Sequence, residues 1–320
     1  DTPPSFTATG RQGGERAQQN FSIAGQRMQF THYTLDGIEN TDPNWNLWLF
    51  RPSIDALQEF KVESGVYSAQ YGHQPSQVNV STKSGTNTFH ATMFEFFRNS
   101  ALDAREWQQS TGRKNPFRRN QYGFEFEGPL KKDRLFFMAN FEGLRDSNTR
   151  QQVASVATDR MRRGDFSAAG RAIYDPASRV FTTDASGNVR AVSATPFPGG
   201  VIPQNRFDPV AAKLLQFYPA PTTPGDNILR NYTRQAYTPT NWDQFTQRID
   251  FNENAKSFWF GRFGWNDEYT STASLFANQN EQYALKAYQA MVSNIRTFTP
   301  TVINEFRFGF NQLNSDATTS

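Results

Sequence analysis

The sequence contains no cysteine and only three histidines among its 320 residues. The absence of cysteine excludes a disulfide-stapled scaffold and any thiolate metal site. His32, His73 and His90 lie far apart along the chain, which disfavours a histidine metal centre or a catalytic triad. No window contains the roughly eighteen uncharged apolar residues that a membrane-spanning helix requires. A helical membrane protein is therefore excluded.

The usual motifs for catalysis and nucleotide binding are also absent. There is no Walker loop, Rossmann glycine set, nucleophile elbow, HExxH or EF-hand spacing. An oxygen-rich cluster at Asp36, Glu39, Asn40 and Asp42 misses the spacing of known calcium loops, and a solvated turn explains it better. The net charge of +3 comes from 33 bases and 30 acids, far from the pattern of a polybasic nucleic-acid binder. We predict no enzyme, no catalytic residue, no metal ligand, no cofactor and no nucleic-acid partner.

Aromatic residues, in contrast, are abundant. They form 15% of the chain, with 30 phenylalanines, although the mean hydropathy is only −0.70. Disordered chains of low hydropathy are poor in aromatic residues, so a folded protein is expected. From Phe89 onward, aromatic-rich segments alternate with polar connections of very unequal length.

Seven of these segments are predicted to be strands, because aromatic residues recur at every second position. Phe124 and Phe126, for example, alternate with Glu125 and Glu127. The sixth segment alternates weakly and is predicted to be a strand mainly from its neighbours. The segments lie near residues 89–99, 121–127, 135–142, 244–251, 258–266, 283–297 and 305–311.

The connections between the segments alternate strictly between long and short, which places all long loops at one end of the predicted sheet. Transmembrane β-barrels have this asymmetry, with apolar side chains facing outward and polar ones inward. A soluble antiparallel sandwich or barrel is the alternative, but its core would favour valine, isoleucine and leucine over phenylalanine and tryptophan. The short links are residues 128–134, 252–256 and 298–301, and the long ones are residues 101–120, 146–241 and 270–282.

Several longer motifs make the sequence resemble the TonB-dependent outer-membrane receptors of the Oar-like group, which usually carry a carboxypeptidase-regulatory-like domain ahead of the receptor. The motifs follow the family order over roughly residues 20–310. They are NFSIAGQR at 20–27, YTLDGIEN at 33–40, IDALQEFKVESGVYSAQYG at 54–72, VNVSTKSGTNTFH at 78–90, FEFFRNSALDAR at 94–105, NQYGFEFEGPL at 120–130, KDRLFFMANFEGLR at 132–145 and VIPQNRFDPVAAKLLQFYPAP at 201–221.

The resemblance implies a mainly β fold with two parts. Residues 1–88 would be the later part of a plug domain, and residues 89–320 the first seven or so antiparallel strands of a large transmembrane β-barrel. An extracellular loop would span about 146–241. Barrels of this family have roughly 22 strands around a plugged lumen, so seven strands cannot close one. We expect this chain to be a fragment without the TonB-binding segment, the front of the plug and most of the wall.

The implied function is active uptake of a ligand across the outer membrane of a Gram-negative-type bacterium, energised through TonB by the inner-membrane proton gradient. The implied partners are TonB, a small-molecule, oligosaccharide or peptide ligand, and the lipid and lipopolysaccharide of the outer membrane. Two alternatives stay open: an outer-membrane structural, adhesion or protein-export barrel, and a soluble β-rich glycan-binding module.

The resemblance also implies candidate site residues. In many related receptors an arginine of the plug pairs with acids of the barrel, but Ala24 occupies that position here. We therefore expect Arg27 to contact Glu125 or Glu127, the alternative being a solvated arginine. The predicted ligand-binding residues lie on two plug loops and are Tyr33, Asp36, Asn40, Asp42, Tyr71, His73 and Gln74.

Two local predictions follow from turn and capping chemistry. Asp36-Gly37 suits a tight turn with positive φ. Asp208 before Pro209 suits a helix N-cap followed by proline at the first helical position, so a short helix is expected at Asp208–Phe217. The long loop containing that helix holds nine of the 17 prolines, which favours a constrained lid over a floppy segment.

Overall fold

The computed structural model of the chain describes residues 23, 30–43, 46–65, 76–105, 107, 114–184, 186–274 and 280–319. Strands dominate these residues. In chain order they are β1 (Thr31–Leu35), β2 (Ile38–Glu39), β3 (Leu57–Ser64), β4 (Ser76–Thr82), β5 (His90–Asn99), β6 (Phe117–Lys131), β7 (Leu135–Ala154), β8 (Val180–Thr183), β9 (Val189–Ser193), β10 (Tyr232–Asn254), β11 (Ser257–Thr272), β12 (Glu281–Thr299) and β13 (Val302–Thr319).

Helices are short throughout the described part of the chain. No helix there is long and apolar enough to cross a membrane. The α-helices are α1 (Asp159–Arg162) and α2 (Pro209–Leu214), and single 3₁₀ turns lie at Ile54–Ala56, Ser167–Ala169, Pro176–Ser178, Pro198–Gly200, Gln204–Arg206 and Leu215–Phe217.

The first four strands form a small sheet in the order β2-β1-β4-β3. β1 runs parallel to β4, and the two outer pairings are antiparallel. The predicted tight turn joins β1 to β2: Asp36 has φ 52° and Gly37 has φ 75°, so both central residues lie in the left-handed region that a two-residue hairpin turn requires. The small-sheet core contains Tyr33, Leu35 and Val78, all fully buried.

The other long strands form a single antiparallel sheet of seven strands in the order β13-β12-β11-β10-β7-β6-β5. This confirms the prediction of a mainly β fold with seven antiparallel strands. All three predicted tight links are present, at Lys132–Arg134, Ala255–Lys256 and Pro300–Thr301. The sheet is not closed into a barrel in this chain.

The predicted alternation of side chains is also confirmed. On β10, Gln244, Thr246 and Arg248 are buried while Ile249 is exposed. On the edge strand β13, Phe306, Phe308 and Phe310 are each at least half exposed, and Gly309 between them faces Ile38 of the small sheet. Phe124 and Phe126 on β6 are exposed in the same way, opposite the buried Glu125 and Glu127.

The sixth predicted segment is β12, and its structure explains why apolar and polar residues alternate only weakly along it. Tyr283, Leu285 and Ala287 face inward and are buried, whereas Lys286 and Tyr288 face outward. Apolar residues therefore lie on both faces of this strand, because its inner face packs against the core of the small sheet. A period-two search looks for one apolar face and misses such a strand.

β7 and β10 continue into the range predicted as loop, to Ala154 and from Tyr232. Between them, residues 150–236 belong to a separate compact unit. The predicted helix is present as α2 and the 3₁₀ turn after it, and the Asp208 carboxylate accepts hydrogen bonds from the amides of Val210 (2.7 Å) and Ala211 (3.0 Å).

Ion pairs and hydrogen bonds also hold this second unit together. Arg160 contacts both Asp165 (2.8 Å) and Asp226 (2.9 Å), and Arg206 contacts Asp175 (2.7 Å). Hydrogen bonds from Ser167, and then from Arg160, lower the pKa of Asp165 to about 2. This network supports the expectation of a constrained segment.

Candidate functional site

The turn between β1 and β2 inserts a carboxylate into a buried cluster on the inner face of the large sheet. The Asp36 carboxylate accepts hydrogen bonds from the Thr82 amide (2.8 Å) and from the Thr82 hydroxyl (2.9 Å). Arg262 Nε of β11 donates to the same carboxylate at 2.6 Å, and Arg248 Nη1 of β10 lies 3.5 Å from it. Asp36 therefore joins the small sheet to two wall strands.

The two arginines face each other across a strand pair. Arg248 and Arg262 are register partners on β10 and β11, and both are buried. Like charges directly opposite each other destabilise a sheet unless an anion lies between them. Asp36 provides one anion, and Asp250 provides the other, at 2.8 Å from Arg248. The cluster is balanced, with two bases and two acids, only when the small sheet is docked.

The Arg248 guanidinium is further stabilised within the wall and by Thr82. Its central carbon lies 4.2 Å from the centre of the Phe260 ring, within cation–π distance. Nη1 also donates to the Thr82 carbonyl oxygen at 3.0 Å. Arg248 is thus oriented toward the small sheet.

Neutral hydrogen bonds continue the contact along the β2 side of the turn. Asn311 Nδ2 donates to the Glu39 carbonyl oxygen at 2.8 Å. Gln289 accepts from Arg262 (2.6 Å) and donates to Asn40 Oδ1 (3.3 Å). These side chains belong to β12 and β13, so the turn contacts four consecutive wall strands.

Apolar side chains of the small sheet fill recesses that glycines leave in the wall. A Cβ added at Gly264 of β11 would lie 2.6 Å from the Phe50 ring, and one added at Gly309 of β13 would lie 2.9 Å from Ile38. Both distances are shorter than real Cβ contacts, so only glycine leaves room for these side chains. The small sheet is therefore held both by charge and by shape.

The described residues among the predicted ligand contacts are all buried. Tyr33 and Asn40 have no exposed surface, and Asp36 and Asp42 are nearly covered. The Asn40 amide donates to the Phe50 carbonyl oxygen and accepts from the Phe50 amide, as in a turn brace. Burial raises the pKa of Tyr33 to about 12. Such burial disfavours direct contact with a ligand, and the ligand role of these residues stays a prediction.

The remaining predicted site residues divide into two groups. Arg27, Tyr71, His73 and Gln74 lie outside the described residues, so nothing tests their roles.

Glu125 and Glu127 are buried on the inner face of β6, where Lys83 Nζ lies 3.9 Å from Glu125. Within the described part of the chain, Glu125 Oε1 and Glu127 Oε2 have no hydrogen-bond partner. Their contact with Arg27 stays a prediction.

Sequence reasoning missed Arg248 and Arg262 as site residues. A signal was available, because the short link at 252–256 sets the register of the hairpin and places the two bases opposite each other. Among the described residues, no group of three or more histidine, aspartate or glutamate side chains is arranged to hold a metal ion.

Comparison with known proteins identifies the family. Residues 81–320, well over half of the chain, match the model of the outer membrane beta barrel domain. The chain belongs to this outer-membrane β-barrel family. The family also confirms the predicted location in the outer membrane, and the aromatic outer face of the sheet agrees with it.

Two further proteins resemble this member of the family. Over 136 residues it is 27% identical to the TonB-dependent transporter Oar of Myxococcus xanthus, which covers 40% of this chain and 13% of Oar. The outer membrane transporter YddB of Escherichia coli has a similar fold, with a TM-score of 0.54 and 10% identity over 91% of this chain and 32% of the YddB chain. The chain thus spans a minor part of either relative.

Proposed function

We propose that the chain is the plug and the first part of the wall of a TonB-dependent outer-membrane receptor that takes up a ligand from outside the cell. The small sheet is the plug, the seven-stranded sheet is the wall, and the segment around residues 146–241 is an extracellular loop. TonB, acting through a segment outside this chain, would displace the plug. No chemical change in the ligand is required.

One observation carries the proposal: a distinct four-stranded sheet packs on the inner face of an aromatic-coated wall through a charge-balanced cluster. A purely structural barrel has no need of a second sheet packed against the inside of its wall. The similarity to Oar supports the same interpretation, because that protein is a TonB-dependent transporter by name.

The contact is also suited to being broken. Asp36 and the two arginines form hydrogen bonds that water can replace once the cluster is opened, whereas an interface of aliphatic side chains would have to expose apolar surface. The apolar part includes Tyr283, Leu285 and Ala287 of β12, and also the contacts of Ile38 with Phe260 and Met291. Separation would therefore hydrate the charged cluster and expose this apolar surface.

The test uses the full-length protein in cells with and without TonB. Spent medium from producing and non-producing cells is compared by mass spectrometry, and a protonophore is added in a second set. The proposal predicts a solute that only producing, TonB-containing cells remove, and whose removal stops with the protonophore. Removal that is unaffected by both treatments, or no difference at all, would support an adhesion, export or structural barrel.

A further inference from the structure

A cavity of about 260 Å³ lies between the small sheet and strands β6, β7 and β10. Its lining includes Trp48, Arg51 and Phe60 of the small-sheet region, and Leu144, Trp242 and Gln244 of the wall. Trp242 precedes Arg248 by six residues on β10, which places the cavity roughly 20 Å closer than the Asp36 cluster to the end with the long connections. The cavity is thus distinct from that cluster.

The cationic group of the cavity has no anion. The Arg51 guanidinium lies over the Trp242 ring, 5.0 Å from its centre, and the residue is half buried. Among the described residues it has no carboxylate and no hydrogen-bond partner. A guanidinium has five donors in a fixed fork that fits a carboxylate or phosphate. The wall leaves those donors available.

The acidic group of the cavity, in contrast, is already engaged. Glu142 accepts hydrogen bonds from Gln121 (2.6 Å) and from Gln244 (3.0 Å). Arg119, the other base in the lining, lies 3.7 Å from Asp146. The unmatched charge of the cavity is therefore the positive charge of Arg51.

Much of the remaining lining is apolar. Leu57, Val80 and Leu144 line the cavity together with the rings of Trp48 and Phe60. Ligand sites usually combine such an apolar lining with a few polar groups that fix orientation. The volume suits one group of a ligand, or a small molecule, and not an extended chain.

From this arrangement we propose that Arg51 and Trp242 form a subsite for the anionic end of an amphipathic molecule, a carboxylate attached to an aromatic or aliphatic body. The Arg51 fork binds the carboxylate, and the apolar walls bind the body. The subsite depends on the proposed function in one respect only: it would lie on the path that a transported ligand takes between plug and wall. Binding itself requires neither TonB nor energy.

The test measures binding directly on the full-length protein in lipid nanodiscs, by saturation-transfer difference NMR with empty nanodiscs as the blank. The probes are 4-phenylbutyrate and 4-phenylbutylamine, which share a body and differ in the charge of the head group. We expect the carboxylate to bind at least tenfold more tightly than the amine. Equal binding, tighter binding of the amine, or no binding of the carboxylate would overturn the proposal.

Three variants and a matched control locate the site. Arg51→Gln should weaken 4-phenylbutyrate at least tenfold, while Arg51→Lys, which keeps the charge, should retain an intermediate affinity. Arg190→Gln removes an exposed base on β9 and is the matched control, with affinity unchanged. Trp242→Leu, which removes the ring under Arg51, serves if Arg51→Gln does not fold. Unchanged affinity in both Arg51→Gln and Trp242→Leu would refute the subsite.

Because binding is measured without uptake, the two proposals fail separately. A wild-type protein that binds the carboxylate but removes no solute from the medium leaves the subsite intact and refutes transport. A protein that removes a solute in a TonB-dependent way but does not bind 4-phenylbutyrate supports transport and refutes the subsite.

Discussion

Asp36 is the residue on which the contact between the two sheets depends most. Its side chain is only 2% exposed and faces two buried arginines that belong to another part of the chain. Removing one partner of a buried ionic cluster costs more than the cluster contributes, because the remaining charges stay desolvated. Neutralising Asp36 should therefore cost more stability than neutralising a carboxylate at the surface.

We predict that Asp36→Asn loosens the small sheet by about 3–5 kcal/mol, since Arg262 and Arg248 lose their shared anion. Hydrogen exchange at the Thr82 amide, which donates to Asp36, is the measurement, and faster exchange is expected. Asp267→Asn is the matched control, because Asp267 pairs with Lys286 in an exposed ion pair of small value. Equal exchange in the two variants would contradict a buried cluster that holds the sheet.

Gly37 follows Asp36 in the turn, and both its backbone conformation and its surroundings disfavour a larger residue. Its φ of +75° favours glycine, and an added Cβ would overlap the guanidinium of Arg307, which would have to move. Gly65, at the end of β3, has a similar φ of +85° but no atom within 4 Å of an added Cβ. Comparing alanine substitutions at Gly37 and Gly65 therefore distinguishes the effect of backbone strain, which both share, from the effect of a steric clash, which only Gly37 has.

Gly37→Ala should therefore destabilise the docked small sheet more than Gly65→Ala does. Each variant carries about 1 kcal/mol of backbone strain, and only Gly37→Ala also displaces Arg307. Limited proteolysis of the full-length protein gives the comparison, with earlier cleavage within residues 30–65 expected for Gly37→Ala. Identical cleavage rates would show that Arg307 yields at no cost.

Among the elements, the wall strands show what sequence can and cannot reveal. Period-two aromatic residues predicted β6, β10, β11 and β13, because the outward positions of these strands are mainly aromatic and the inward ones mainly polar. β11 departs from this at Phe260, which is buried on the inner face. β12 was weakly predicted, because Leu285 and Ala287 pack against the small sheet while Tyr288 faces outward. The two faces of β12 are both partly apolar for different reasons, so its residue pattern can be interpreted only when the partners of both faces are known.

Only the local part of the site could be predicted from the sequence. The Asp36-Gly37 turn was predicted from local chemistry, since φ at two adjacent residues decides it. The partners of Asp36 were not, because Arg248 and Arg262 are 212 and 226 residues away. Inward arginines on a barrel wall also have an ordinary explanation as lumen-lining residues, and only their opposed register indicates that an acid must come from elsewhere.

β11 also allows a prediction about shape. We expect Gly264→Ala to lose about 1–3 kcal/mol of docking stability, because the added methyl group overpacks against the Phe50 ring. Gly261→Ala on the same strand is the control, since its Cβ would meet only Met291 O at an ordinary 3.5 Å.

Phe50→Leu should restore part of the loss in Gly264→Ala, because a smaller side chain makes room for the methyl group. Denaturant titration of hydrogen exchange in β1 reports the docking stability in all of these variants. A Gly264→Ala variant that matches Gly261→Ala would show that Phe50 can shift without penalty, and glycine would then not be required in the wall.

For the whole molecule, the decisive property is whether the two sheets must separate. The docked arrangement joins a charge-balanced cluster, two glycine recesses and a shared apolar core. After separation water can hydrate the charged groups, whereas the shared apolar surface becomes exposed. A barrel used for adhesion needs no such separation, whereas a transporter with a filled lumen cannot work without it. A reversible covalent link between the sheets distinguishes the two.

Ile38 and Gly309 are suited to that link. An ideal Cβ on Gly309 lies 3.2 Å from Ile38 Cβ, which is shorter than the roughly 3.8 Å typical of disulfides, so the two strands must move slightly apart to form the bond. This chain has no cysteine of its own. In the full-length protein, Ile38→Cys with Gly309→Cys should abolish solute removal when oxidised and recover it with dithiothreitol. Lys286→Cys with Asn314→Cys joins two wall strands at partner positions and should leave removal unchanged in either state. Both pairs place one cysteine on β13, but only the first ties the small sheet to the wall. Full removal by the oxidised Ile38–Gly309 pair would therefore mean that the ligand passes without any displacement of the small sheet from β13.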